Sequence, residues 1–415
     1  MFKRFLLLST AVLIAIAPAF PQGWNVELAG TLYQGEVELY DIAVAGDYAY
    51  VTDWEAGLRI IDISDAAVPV ETGRCDTPGG ACGVAVAGNY AYIADWDFGL
   101  RIIDISDASD PWEIGCCDTL GDACGIALWD DFAYVADWGE GLRIVDITDP
   151  SNPVEIGNCD TPGGACDVVI ADTCAYVADG SSGLRAISVA NPDSAYEFQS
   201  FNTQGYAKGI ALLDNYALIA DGLSGLRIID ISADTLFVEV GHCATPGVAS
   251  GVEVLAHHAY VSDLYGGLRI IDIWNPSDPE ECGYYDTPGI ALKTIALGDK
   301  AYTVDYGQFE VFDCAAALPV FQPSFSGCPS SFTVSVFPNP FNSTARLSYS
   351  LISPGEVSLI VYDLAGREVA TINKGFLSAG SYTAGFDGSE LASGVYFARL
   401  EFSNFACTQK LILLK

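Results

Sequence analysis

"DWEAGLRIIDIS" spans Asp53 to Ser64, "DWDFGLRIIDIS" spans Asp95 to Ser106, and "DWGEGLRIVDIT" spans Asp137 to Thr148. The opening aspartate recurs at Asp53, Asp95, Asp137, Asp179, Asp221, Asp263 and Asp305, each step being 42 residues. Self-similarity at one fixed period marks a repeat architecture, in which each copy is one supersecondary unit that buries its core against its neighbours. The second copy resolves into four strands: "CGVAVAG", "NYAYIAD", "GLRIIDIS" and "PWEIGCCDT". Branched and aromatic runs bounded by Gly, Pro, Asn and Asp are strand signals, and no helical period is sustained within the repeats. Four meandering strands per 42 residues predict a β-propeller blade and fit a solenoid poorly.

The ends of the array predict how the ring closes. The last copy holds three strands, ending near "QFEVFDC", and a lone strand at Val26–Gln34 resembles the fourth strands of the other copies. That N-terminal strand is expected to complete the last blade, which leaves no open sheet edge. The expected fold is all-β: a seven-bladed propeller over residues 20–314, followed by a second domain.

The "GLRIIDIS" strands resemble LVIVD repeats, a propeller-repeat family named for that strand. The resemblance covers residues 24–314 and implies an extracytoplasmic propeller without catalytic residues to transfer. The seventh copy departs from it. Its loop is one residue shorter, and Glu310 stands where Arg59, Arg101, Arg143, Arg185, Arg227 and Arg269 stand elsewhere.

Residues 315–331, rich in Pro and Ser, read as a linker. Seven short strands follow in residues 332–415 and predict a small Ig-like β-sandwich. This tail resembles the type A C-terminal sorting domain of type IX secretion substrates. The resemblance rests on "FPNPFN" (Phe337–Asn342), "VSLIVYDLAGREVATI" (Val357–Ile372), "LSAGSYTAGFDGSELASGVYFARL" (Leu377–Leu400) and the closing "KLILLK". It implies contact with the secretion machinery, passage across an outer membrane, and release or surface attachment of the remainder.

Residues 1–19 have the form of a signal peptide: Lys3 and Arg4, the apolar run Phe5–Ala15, and the small-residue site Ala17-Pro18-Ala19. No later apolar run reaches the length of a membrane helix. The expected location is extracellular or on the outer cell surface, reached through the periplasm. With 54 Asp plus Glu against 18 Lys plus Arg, the formal charge of −36 repels nucleic acid and anionic lipid.

Export and a shared spacing predict disulfides Cys75–Cys82, Cys117–Cys124 and Cys159–Cys166, with Cys314 and Cys328 closing the linker. Cys116, Cys174, Cys243, Cys282 and Cys407 have no evident partner. The recurring arginine is expected to pair with the acids Asp62, Asp104, Asp146, Asp230, Asp272 and Asp313, a series that Ser188 breaks. The recurring aspartate reads as scaffold, its carboxylate bonding loop N–H groups. No cofactor is predicted. Calcium is a rival reading for the acids, but no D-x-[DN]-x-[DN]-G loop occurs.

The residue after that aspartate varies: Trp54, Trp96, Trp138, Gly180, Gly222, Leu264 and Tyr306. On a closed ring, Tyr306, Trp54, Trp96 and Trp138 make an arc over four blades, suited to stacking a sugar or anchoring a protein partner. At the channel mouth, Asp41, Asp167 and Lys293 interrupt a glycine-dominated series. No nucleophile elbow, zinc-protease motif or P-loop occurs. The sequence therefore points to a binding module for a glycan or a protein. The alternatives are a carboxylate-based glycan hydrolase or lyase and a structural surface protein without a discrete ligand.

Overall fold

The structure, a computed structural model, describes residues 23–33, 37–232 and 236–318. Of the tail it describes residues 334–337, 344–351, 355–363, 367–377, 380–389, 391, 394–402 and 405–413. The expected signal peptide and Cys328 lie outside these residues. The chain divides into two compact units, Met1–Pro319 and Val320–Lys415.

Among its described residues, the first unit is all-β apart from one 3-10 turn at Pro192–Ser194. Its second sheet shows the pattern, with strands Gly83–Ala87, Tyr90–Ala94, Leu100–Asp104 and Trp112–Cys117 paired antiparallel in chain order. The same order recurs in the sheets that begin at Leu39, Gly125, Asp167, Gly209 and Gly251. The seventh sheet is built from Ala291–Leu297, Lys300–Asp305 and Gln308–Asp313, and its fourth strand is Glu27–Leu32 from the start of the chain. The short strand Gly23–Trp24 adds to the outer edge of the sixth sheet, a pairing that the repeat pattern does not announce.

Burial follows position within each sheet. The third strands are apolar runs with both faces covered, so Leu100, Ile102 and Ile103 are wholly buried and Arg101 nearly so. The fourth strands alternate weakly and face water, exposing Val70, Trp112, Val154, Tyr196 and Val238. First strands pack on the first strands of neighbouring sheets, and Ala291–Leu297 packs on Leu39–Ala45. That approach requires small residues: a Cβ added at Gly83 would lie 2.5 Å from the Cys124 carbonyl oxygen.

In the second unit, Val334–Phe337, Thr344–Leu351 and Gly380–Asp387 form one sheet. Glu368–Leu377, Gly355–Asp363, Gly394–Phe402 and Phe405–Leu413 form another. Leu347, Tyr349, Leu359, Phe386, Leu400 and Leu411 belong to one apolar core between them.

Candidate functional site

The recurring aspartate ties three segments together. Asp95 Oδ1 accepts from Thr77 Oγ1 at 2.6 Å, and its Oδ2 accepts from Gly79 N at 2.9 Å. Both donors belong to the loop arriving from the preceding sheet. The pattern repeats at Asp137 with Thr119 and Gly121, at Asp179 with Thr161 and Gly163, at Asp221 with Thr203 and Gly205, and at Asp263 with Thr245 and Gly247. Burial pushes each of these five carboxyls above the usual aspartate range, and the Thr and Gly hydrogen bonds oppose the shift.

The recurring arginine sits beside this aspartate, not beside the expected acids. Arg59 Nε lies 2.7 Å from Asp53 Oδ2, Arg143 Nε 3.5 Å from Asp137 Oδ2, and Arg185 Nε 3.4 Å from Asp179 Oδ2. A second carboxylate on the fourth strand completes the cluster: Glu71, Glu113, Glu155, Glu197, Glu239 or Glu281. Asp62, Asp104, Asp146, Asp230 and Asp272 instead accept the backbone N–H two residues on, each closing its own turn. Alternation across a strand accounts for the correction, since Arg59 and Asp62 are three residues apart and project to opposite faces. Asp313 bonds Ala315 N and Lys300 Nζ.

Outside the first sheet, where Trp54 N donates to Glu38 O, the residue after the aspartate is bridged to a neighbouring segment: Trp96 N donates to Ala123 O at 3.1 Å, and Ala123 N donates to Trp96 O at 2.9 Å. This bridge requires a left-handed backbone, with φ of 50° at Gly180 and 58° at Gly222. Trp96, Trp138, Leu264 and Tyr306 adopt it with φ of 49°, 26°, 44° and 40°. A bulky side chain there costs on the order of 1–3 kcal/mol.

The rings form a continuous belt. Centroids are 6.1 Å apart for Tyr306–Tyr40, 5.2 Å for Tyr40–Trp54, 5.3 Å for Trp54–Trp96, 6.4 Å for Trp96–Trp138 and 6.3 Å for Trp138–Tyr206. The arc expected from sequence is thus extended by Tyr40, in the first strand Leu39–Ala45, and Tyr206, in the loop leading into the first strand Gly209–Leu213. Gly80 lets Trp54 lie flat on one such loop, since a Cβ there would meet the indole at 2.7 Å.

Tyr40, Trp54, Trp96 and Trp138 line a cavity of about 240 Å³ together with Asp41, Asp167 and Lys293. Lys293 Nζ bonds Asp167 Oδ2 at 3.1 Å, and Asp41 Oδ2 accepts from Val84 N at 2.8 Å. Burial raises the Asp41 carboxyl, against the pull of nearby Lys293. For Lys293 burial works against the charge, but Asp167 and Asp41 outweigh it and hold the ammonium above the usual lysine range. The structure therefore brings the three expected channel charges together. It adds Glu253, pushed up to about 7 by burial. The repeat register held a signal for it: Glu253 occupies a position filled by Ala43, Ala85, Ala127, Val169, Ala211 and Ile295 in the other copies.

The expected pairs Cys75–Cys82, Cys117–Cys124 and Cys159–Cys166 are not bonded, and these cysteines are free. Each pair is divided between the outer strand of one sheet and the inner edge of the next. Cys82, Cys124 and Cys166 line the cavity. Cys82 Sγ lies 3.0 Å from the Ala123 carbonyl oxygen, and burial pushes the Cys166 thiol up to about 12. Cys116, Cys174, Cys243, Cys282 and Cys314 are also free. The Cys407 side chain lies outside the described ones. Among the described residues, no group of three or more His, Cys, Asp or Glu has the geometry to hold a metal, and no helix is long and apolar enough to cross a membrane.

These sheets define an all-β, propeller-like protein with a ring-lined cavity. The chain belongs to the LVIVD repeat family, with copies at residues 38–77, 78–119, 120–161, 162–203, 204–245 and 246–287, together more than half of its length. Residues 335–414 match a secretion system C-terminal sorting domain, which indicates export to the cell surface or the surroundings. No curated protein sequence matches the chain. Among solved structures it is similar to the WD40 β-propeller domain of Doa1, at 10% identity and a TM-score of 0.56 over 69% of this chain and 96% of that one. The RRP9 WD40 repeats match at 8% identity and a TM-score of 0.57 over 69% and 99%. BamB from Moraxella catarrhalis matches at 10% identity and 0.51 over 69% and 97%. At such identities the likeness concerns the fold.

Proposed function

We propose that the chain is an exported, non-catalytic binding module whose aromatic belt takes a glycan. The observation that carries this reading is that Trp96, Trp138 and Tyr306 are held in left-handed backbone where Gly180 and Gly222 serve the same bridge. Nothing in the bridge itself calls for an indole, so the strain is retained for what the rings contact. Aromatic faces stack on sugar C–H surfaces, and the Asp41, Asp167 and Lys293 groups at the cavity supply hydroxyl partners. A protein partner is the second ligand class, supported by the same rings, of which Trp138 is exposed and the others partly so.

The supporting frame is read as seven blades in one ring over residues 20–314, closed by Glu27–Leu32. Residues 1–19 are read as a signal peptide, 315–331 as a linker and 332–415 as an Ig-like sorting sandwich that engages the secretion machinery. Glu253 favours one catalytic alternative: a carboxyl titrating near neutrality beside Asp41 and Asp167 has the character of a general acid for glycan cleavage. Residues 20–320 are to be probed on a glycan array and assayed for hydrolysis of mixed polysaccharides. Retention without product is expected, and it should be lost in Trp54→Ala, Trp96→Ala and Trp138→Ala. Product formation rejects the non-catalytic reading; binding unchanged in all three variants rejects the belt as the site.

A further inference from the structure

In six sheets the buried aspartate has an arginine beside it. The seventh lacks that cation. Glu310 takes the arginine position, and Leu28 takes that of the second carboxylate. Asp305 is 0% exposed, Glu310 1% and Thr287 8%. Glu310 Oε2 is buried without a hydrogen-bond partner. The buried Thr287 hydroxyl faces the Asp305 carboxylate, and Gly289 N donates to Asp305 Oδ2 at 2.9 Å. Among the described residues no basic side chain pairs with either carboxylate, and the other titratable group facing Glu310 is the Tyr285 phenol of the sixth sheet. Two buried carboxylates do not both keep their charge without a compensating cation.

We propose that Asp305, Glu310 and Thr287 form a calcium site, in which the metal supplies the positive charge that arginine supplies in the other six sheets. The donors are all hard oxygens, which suit calcium, whereas zinc favours nitrogen and sulfur, and magnesium keeps several waters that a dry site excludes. Two carboxylates balance one divalent charge. The third donor is a hydroxyl, so the site needs only two acidic ligands, with backbone carbonyls completing the shell. Glu310 lies opposite Thr31 on the N-terminal strand that completes this sheet. Calcium would therefore stabilise the sheet in which the two ends of the array meet.

The test is thermal unfolding of the full chain, dialysed against EDTA at about pH 7.5 and then supplied with about 5 mM CaCl2 or MgCl2. Calcium should raise the wild-type midpoint by roughly 3 °C or more, and magnesium should do less. Glu310→Arg, which restores the residue of the other sheets, should lose the response. Glu310→Gln, which keeps the shape, should lose it too and serves if the arginine variant does not fold. The surface acids are common to all three proteins. An equal calcium shift in wild type and variants assigns it to the surface and overturns the site, as does the absence of a shift in wild type.

Discussion

Arg59 Nε lies 2.7 Å from Asp53 Oδ2, and the guanidinium also holds Glu71 at 3.0 Å, with Asp53 and Arg59 both withdrawn from water. One cation thus joins the second, third and fourth strands of a sheet. Arg59→Ala leaves the Asp53 carboxylate buried without its partner, a change that costs about 3–5 kcal/mol. The urea midpoint of the variant should fall accordingly. A loss below about 1 kcal/mol would show that water reaches the cluster and that the recurring pair is not a structural element.

The carboxyl in the arginine's place makes an opposite prediction. In calcium-free buffer, burial first and the Asp305 charge second push Glu310 up to about 8 from an ordinary 4.5. The native state therefore holds a proton that the unfolded chain releases between about pH 4.5 and 8. This contribution is full below the lower value and is lost as pH rises through the upper one. The stability of the wild type relative to Glu310→Gln should therefore decline from about pH 4.5 to about pH 8, read from urea curves in EDTA. A flat difference across that window would mean that Glu310 is already charged in the folded protein.

Trp96 offers a test that separates folding from binding. Its φ of 49° suits glycine, so Trp96→Gly relieves backbone strain while removing ring contacts with Trp54 and Trp138. The two effects oppose, and the net change in stability should stay within about 1 kcal/mol. Binding of a glycan ligand should weaken by about tenfold or more. Trp112→Ala, on an outer strand and 54% exposed, should leave binding unchanged. A large stability loss in Trp96→Gly with unaltered binding would make the belt a packing device.

The period of the aspartate and the apolar third strands made the sheets legible, because every copy solves the same burial problem. The N-terminal completion of the seventh sheet was legible for the same reason: Glu27–Leu32 carries a fourth-strand pattern with no preceding sheet of its own. The belt was partly legible. Trp54, Trp96, Trp138 and Tyr306 share one register, whereas Tyr40 and Tyr206 come from two other repeat positions and meet them only in space. The arginine's partners were missed because chain proximity favoured Asp62, while strand alternation turns Arg59 toward Asp53 and Glu71. Glu253 was overlooked because one acid in an acidic chain carries no mark until its register is compared.

In the structure the cysteines that flank the glycine-rich loops are not joined. Cys75 and Cys82 are seven residues apart and bracket a glycine-rich loop, yet that loop is held by its own bonds. Thr77 Oγ1 and Gly79 N both bind Asp95, which stretches the loop from the outer strand of one sheet to the inner edge of the next. Peptide mapping of the non-reduced, exported protein should therefore show Cys75 and Cys82 unlinked, and Cys75→Ser should change the unfolding midpoint little. Asp95→Ala should loosen the same loop and raise the alkylation rate of Cys82. A Cys75–Cys82 link in the folded protein would overturn the Asp95 contacts as the device that sets this loop.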